Sequence, residues 1–158
     1  MKKIYLGADH AGFALKEKVR RWLDQKNIPY RDLGNVRYEK DDDYPDYAAA
    51  VGRQVVKTQS KGILFCGSAE GICIAANKIK GVRAVAVWDW RMAKQSREHN
   101  DANVLCLSGG GMLKKVAGLG ISLKEAQKII RIWFSTPFSR ASRHIRRINK
   151  IRQLERSP

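Results

Sequence analysis

The sequence predicts an α/β fold: one doubly wound domain over residues 1–158, with a five-stranded parallel sheet, helices on both faces and a basic C-terminal helix at about 140–154. Three observations predict it. Short apolar runs recur without the in/out alternation of a half-exposed strand, the pattern of strands covered on both faces. Each run is followed by apolar residues at helical spacing. No repeat, low-complexity tract or long linker divides the 158 residues, which is the size of one compact domain.

The elements follow in order. Residues 2–6 are a short β-like run closed by Gly7. Leu15, Val19, Trp22 and Leu23 then share one helical face, with Asp9 placed as N-cap and Pro29 as the break. Residues 30–33 form a second strand, and the polar stretch 35–43 is a loop. Residues 47–56 read as a helix with Ala48, Val51 and Val55 inward. Residues 62–65 are a continuous apolar strand ending at Cys66, and 66–71 form a loop into a small-residue helix, 72–78. A strand at 82–87, a helix at about 91–98 and a strand at 104–107 come next, stopped by Gly109, Gly110 and Gly111. Helices at 123–134 and 140–154 close the chain, separated by Pro137. The expected sheet is Rossmann-like, with order 2-1-3-4-5. Ligands of such sheets bind beyond the carboxyl ends of the strands, which directs attention to loops 7–12 and 66–71 and to the region around His99.

Composition narrows the function classes. Lys and Arg number 31 against 15 Asp and Glu, a net charge of +16. Residues 140–158 hold seven of the cations and only Glu155 in opposition. A basic amphipathic helix can bind nucleic acid, cradle a phosphate ester or present a solvated face. No recognition helix and no aromatic-rich strand of the RNA-binding kind is present, which argues against a nucleic-acid partner. Met1, Lys2 and Lys3 lead into too short an apolar run for a secretory signal, and no stretch approaches the ~20 apolar residues of a membrane span. A soluble, cytoplasmic protein without a membrane partner is expected. Cys66 and Cys73, seven apart, match no common zinc spacing, so reduced thiols and no metal are expected.

The chemistry-bearing residues gather at loops. Cys66 ends the third strand before a glycine-bearing loop that opens a helix. Outward-facing amides and the helix dipole there favour negative charge. A thiol in that position is expected to have its pKa lowered towards neutrality, which suits a general base. The amides of Gly67 to Gly71 can hold the oxyanion that develops when a proton leaves carbon beside a carbonyl. The residues alone leave a second reading open, in which Cys66 is a small buried residue capping a strand. Asp9 and His10 follow the first strand, where a site is expected. His99 stands beside Asn100 and Asp101. His144 lies among arginines, of which Arg143 and Arg147 are four apart and share a helical face. A signalling receiver of this architecture needs an acceptor aspartate where Cys66 stands, and is excluded.

Gly7-Ala8-Asp9-His10-Ala11-Gly12, Asp43-Tyr44-Pro45-Asp46-Tyr47-Ala48, Cys66-Gly67-Ser68, Ile74-Ala75-Ala76-Asn77-Lys78 and Gly81-Val82-Arg83-Ala84 form an ordered set. Ser96-Arg97-Glu98-His99-Asn100-Asp101-Ala102-Asn103-Val104-Leu105 and Arg143-His144 complete it, across roughly residues 2–150. In order and spacing this set resembles the ribose-5-phosphate isomerase B family, which includes galactose-6-phosphate and allose-6-phosphate isomerases. The resemblance implies a cofactor-free, metal-free aldose–ketose isomerase working through an enediolate. Ribose 5-phosphate and ribulose 5-phosphate are the first expectation, a hexose phosphate the closest alternative, and a non-catalytic anion- or nucleic-acid-binding relative a third. It implies Cys66 as the base between C1 and C2, Ser68, Gly67, Gly71 and Asn100 around the enediolate, and Asp9 and His99 in ring opening. Tyr47 would line the sugar, and His10, Arg143 and Arg147 would hold the phosphate. It also implies a homodimer, paired or not into a tetramer, with His99 and Asn100 supplied by the partner.

Three stretches depart from the family's pattern. Ala69 replaces a loop glycine, and its Cβ is expected to require a negative φ. Glu70 adds a carboxylate that would raise a neighbouring thiol's pKa or act as a second base. Gly110 stands where an arginine is common, and Ala141-Ser142, after Arg140, replace a glycine pair.

Overall fold

The computed structural model describes residues 3–110 and 120–156. Lys2 and Gly111, assigned above to the first strand and to the stop after the fifth, lie outside the described residues. The described elements are β1 (Ile4–Ala8), α1 (His10–Gln25), β2 (Tyr30–Asp32), α2 (Tyr44–Thr58), β3 (Lys61–Cys66), α3 (Glu70–Ala76), β4 (Ala84–Ala86), α4 (Trp90–Asn100), β5 (Val104–Ser108), α5 (Leu123–Ser135) and α6 (Ser142–Leu154).

Every strand pairing is parallel, and the order is β2-β1-β3-β5-β4. The expected order is corrected at its last step: β5 inserts between β3 and β4. The reason is burial. β5 is buried at all five positions, whereas β4 is three residues long and partly exposed. Placing the longer apolar strand inside removes more apolar surface from water.

Alternate strand residues feed two cores, as the two-residue strand period requires. Leu6, Ile63, Phe65, Leu105 and Leu107 join Leu15, Val19, Leu23, Ile129 and Trp133 from α1 and α5. Tyr5, Leu64, Cys66, Val104 and Cys106 join Val51, Val55 and Ile72 from α2 and α3. Helices therefore cover both faces.

Local chemistry sets the element ends. Asp9 caps α1, its Oδ1 accepting the Gly12 amide at 2.8 Å. α2 starts three residues before its expected start, because Pro45 in the first turn is preset for helical φ. α3 covers 70–76 rather than 72–78. Asn77 leaves the helix to pair with Ala84: its Nδ2 donates to the Ala84 carbonyl at 2.9 Å and its Oδ1 accepts the Ala84 amide at 2.8 Å. α1 lies so close to β3 that a Cβ on Gly12 would stand 2.2 Å from the Phe65 carbonyl carbon. Among the described residues no helix is long and apolar enough to cross a membrane.

Candidate active site

The carboxyl ends of β1, β3 and β5 lie side by side, with Ala8 beside Phe65 and Cys66 beside Ser108. Asp9, the first residue beyond β1, is buried, and the Cys66 thiol donates to its Oδ2 at 2.9 Å. The turn after β3 is pinned to the turn after β5. The Gly109 amide donates to the Cys66 carbonyl at 2.8 Å, and the Gly67 carbonyl accepts from Ser108 Oγ at 2.6 Å and from the Gly110 amide at 3.1 Å. Ser68 is half-buried, its Oγ accepting the Glu70 amide at 3.3 Å. Gly71 leaves room for the Tyr44 ring, which a Cβ would approach to 2.9 Å. Among the described residues the amide of half-buried Gly71 has no protein acceptor, so it is available to an anion over the loop.

Two expectations about this loop are corrected. The Cys66 thiol is not lowered towards neutrality. Burial and the Asp9 carboxylate push it up to about 12, against the smaller opposing effect of the Gly67 and Ser68 amides. A resting site therefore holds a thiol that donates to a carboxylate. Ala69 does not take a negative φ either. It sits fully buried at φ 70°, the left-handed region that favours glycine, as the residue before α3. Its methyl packs in the α2/α3 core, which offsets a conformational cost of about 1 kcal/mol. Gly110 has φ 75°, so the glycine where an arginine was anticipated suits its backbone. Arg140 likewise adopts φ 55° beside Ala141 and Ser142.

Beyond the loop, His10 is held by Asp42. The His10 amide donates to Asp42 Oδ1 at 2.9 Å, and its ring Nδ1 lies 2.7 Å from the same oxygen. Asn35 Nδ2 donates to the other carboxylate oxygen. Burial raises the Asp42 carboxyl, but the hydrogen bonds from Asn35 and His10 outweigh it and leave the group below its usual range. Tyr47 is half-buried, its phenol pushed up to about 12 by burial and by the Asp42 carboxylate. It stays protonated and can donate. Asp42 was not anticipated, since it falls in a stretch that composition marks only as polar loop. The one available signal was the run Asp41-Asp42-Asp43 directly before a motif-bearing helix.

His99 and Asn100 are not at this end. They finish α4, and the chain then enters β5 at Val104, so they lie at the amino ends of the strands. The expectation that the His99 region shares the carboxyl-end face is corrected: His99 precedes its strand, whereas Asp9 and Cys66 follow theirs. About 13 Å of strand, from the Gly62–Val104 pair to the Cys66–Ser108 pair, separates the two ends. α6 stays with the His99 group. The His99 and His144 rings stack with centroids 4.4 Å apart. His144 Nδ1 lies 2.7 Å from Ser139 Oγ, and Arg143 Nε donates to His144 Nε2 at 3.2 Å. That donation makes Nε2 the unprotonated nitrogen. Desolvation, His99, Arg143 and Arg147 all push the His144 pKa down. Arg143 and Arg147 are exposed on α6. Within one chain they stand with His99, at the opposite end of the sheet from His10. Among the described residues no group of three or more His, Cys, Asp or Glu is arranged to hold a metal ion.

Fold and site define a class: a doubly wound α/β protein with a thiol–carboxylate pair beside open backbone amides at the strand tips. The model of the Ribose/Galactose Isomerase family matches residues 4–151, and the chain belongs to that family. It is 40% identical over 156 residues to ribose-5-phosphate isomerase B of Mycobacterium tuberculosis, covering 98% of this chain and 91% of that protein. The solved structure of ribose-5-phosphate isomerase B from Mycoplasma genitalium with bound ribulose-5-phosphate superposes with a TM-score of 0.87 at 37% identity, covering 99% of this chain and 97% of the other. The Thermotoga maritima ribose 5-phosphate isomerase structure gives a TM-score of 0.86 at 40% identity, with 96% and 97% covered.

Proposed function

We propose that residues 1–158 act as one sugar-phosphate isomerase domain interconverting ribose 5-phosphate and ribulose 5-phosphate by proton transfer through an enediolate. The observation that carries this is the 2.9 Å hydrogen bond from the Cys66 thiol to Asp9. Proton transfer along it converts a thiol and a carboxylate into a thiolate and a carboxylic acid. The thiolate, facing the Gly67 and Ser68 amides, takes the proton from C2 of the open aldose, and the electron pair moves to the carbonyl oxygen at C1. Ser68 and the Gly67 and Gly71 amides stabilise the enediolate oxygens. A proton passes from the C2 hydroxyl to the C1 oxygen. Return of the first proton from the thiol to C1, with the C2 oxygen becoming the carbonyl, completes the ketose, and Asp9 gives the thiol its proton back. The thiol rests protonated, so the base forms only as Asp9 accepts its proton. Ring opening is assigned to Asp9 and His99, the lining of the sugar to Tyr47, and a further contact to the enediolate oxygens to Asn100.

The phosphate is assigned to His10, Arg143 and Arg147, and this requires two copies of the chain. His99, Asn100, Arg143 and Arg147 travel together at one end of the protomer, while Asp9, His10, Tyr47 and Cys66 sit at the other. A homodimer with a shared site unites the groups, one set from each chain. A soluble cytoplasmic setting fits this substrate.

Steady-state assays with ribose 5-phosphate, galactose 6-phosphate and allose 6-phosphate test the reading. The expected outcome is highest kcat/KM for the pentose, with a loss of at least about 10²-fold in kcat for Cys66→Ala. Preference for a hexose phosphate would reassign the substrate, and unchanged turnover in Cys66→Ala would remove the base.

A further inference from the structure

At the opposite end of the sheet from Cys66, between α1 and α5, lies a cavity of about 320 Å³. That is at the small end of ligand pockets, which run roughly 300–1,000 Å³. Its walls are Ile4, Trp22, Leu23, Ile28, Ile130 and Phe134. Lys3, Lys61 and Arg131 also line it, with Gln59 and Ser60, and among the described residues no acidic residue does.

Three features of this cavity go unused by the fold. Among the described residues none of its three cations forms an ion pair; Lys61 Nζ stands over the Trp133 and Phe134 rings at 5.2 and 5.1 Å, and the Arg131 guanidinium over the Trp22 ring at 5.5 Å. The Trp22 indole Nε1 is buried without a hydrogen-bond partner, in a side chain only 5% exposed. Burial and the like charge of Arg97 outweigh the Asp101 carboxylate and pull the Lys61 ammonium down to about 8.

We propose that this cavity binds a small amphipathic carboxylate, an aromatic or branched apolar body seated against Trp22, Ile130 and Phe134 with its charged head between Lys61 and Arg131. The complementarity is specific. A neutral hydrophobe leaves the cations without a counter-charge. A sugar leaves its hydroxyls unpaired against apolar walls, each at a cost of about 1–3 kcal/mol. A carboxylate among cations and aromatic faces satisfies both halves. The site is independent of the assignment at Cys66, which lies at the other end of β3.

Calorimetric titration of the purified full-length protein with phenylacetate, and with the neutral phenylacetamide, tests the proposal. Phenylacetate is expected to bind with a Kd below about 1 mM, and the amide at least about tenfold more weakly. Lys61→Met and Arg131→Gln should each weaken phenylacetate about fivefold or more. Ile130→Trp should abolish binding by filling the cavity while leaving turnover of ribose 5-phosphate intact. No heat up to about 10 mM phenylacetate, equal affinity for the amide, or binding unchanged in both cation variants would overturn it. So would a change of mass by light scattering in Ile130→Trp, which would mean that a second copy of the chain occupies the cavity. If Ile130→Trp fails to fold, the two cation variants decide the question alone.

Discussion

Cys66 Sγ and Asp9 Oδ2 lie 2.9 Å apart, and the other oxygen of the same carboxylate caps α1 through the Gly12 amide at 2.8 Å. One side chain thus ties the start of a helix to the proton of a thiol. Its two oxygens have separable tasks.

Asp9→Asn separates them. Asparagine still caps a helix well, so the fold should survive. The negative neighbour that helps hold the thiol near 12 is gone, so the Cys66 pKa should fall. Iodoacetamide alkylation followed across pH, with the modified peptide identified by mass spectrometry, should show Cys66 reacting at lower pH than in the wild type. Turnover should nonetheless drop by about 10²-fold or more, because the proton acceptor is lost. A variant with wild-type kcat would remove Asp9 from proton transfer.

Mixing experiments address the shared site. Cys66→Ala and His99→Asn protomers, each inactive alone, should regain about a quarter of wild-type turnover when unfolded together and refolded at equal ratio, since half the dimers then carry one intact site. Continued inactivity of the mixture would place both residues in one chain. In the same assay Arg147→Ala should raise KM with little change in kcat, as expected of a group that holds substrate equally before and during reaction.

Gly12→Ala should unfold the site from behind. The added Cβ meets the Phe65 carbonyl carbon at 2.2 Å and the Cys66 nitrogen at 2.6 Å, both backbone atoms that cannot swing aside. α1 would have to lift from β3, carrying Asp9 away from Cys66. A stability loss above about 2 kcal/mol is expected in urea denaturation. A loss below about 0.5 kcal/mol would show that the contact relaxes easily.

Lys61→Met makes a pH-dependent prediction. The folded ammonium titrates at about 8, the unfolded one near 10.4. Between those values the unfolded chain holds a proton that the folded chain has released, so the wild type gains stability as pH rises through this window. Below about 8 the buried charge is a liability. The variant should therefore be the more stable protein at pH 7, with the advantage shrinking as pH climbs towards about 10.4. Thermal melts at pH 7 and pH 10 check this. An advantage equal at both pH values would assign it to packing alone.

Much of this molecule was legible in its sequence because the relevant physics is local. The spacing of Leu15, Val19 and Trp22, the capping Asp9 and the unbroken apolar run before Cys66 report interactions within a few residues of chain. Gly67 and Ser68 follow Cys66 directly in the chain, and Tyr47 was assigned to the sugar on the resemblance. Asp42 could not be placed, because its role depends on a loop folding back onto His10, 32 residues away in sequence.

By itself the sequence determined which segments are strands and helices, which faces they bury, and that a thiol, a carboxylate and a glycine-bearing turn arrive at strand tips. The tertiary structure alone decided that β5 lies inside β4, that His99 and the α6 arginines stand at the far end of the sheet from Cys66, that Ala69 turns left-handed, and that the thiol is raised rather than lowered. The division has one cause. Periodicity and capping are set by neighbours along the chain, whereas strand order, the end of the sheet a residue occupies and the charge beside a sulfur are set by segments that meet only after the chain has crossed over itself.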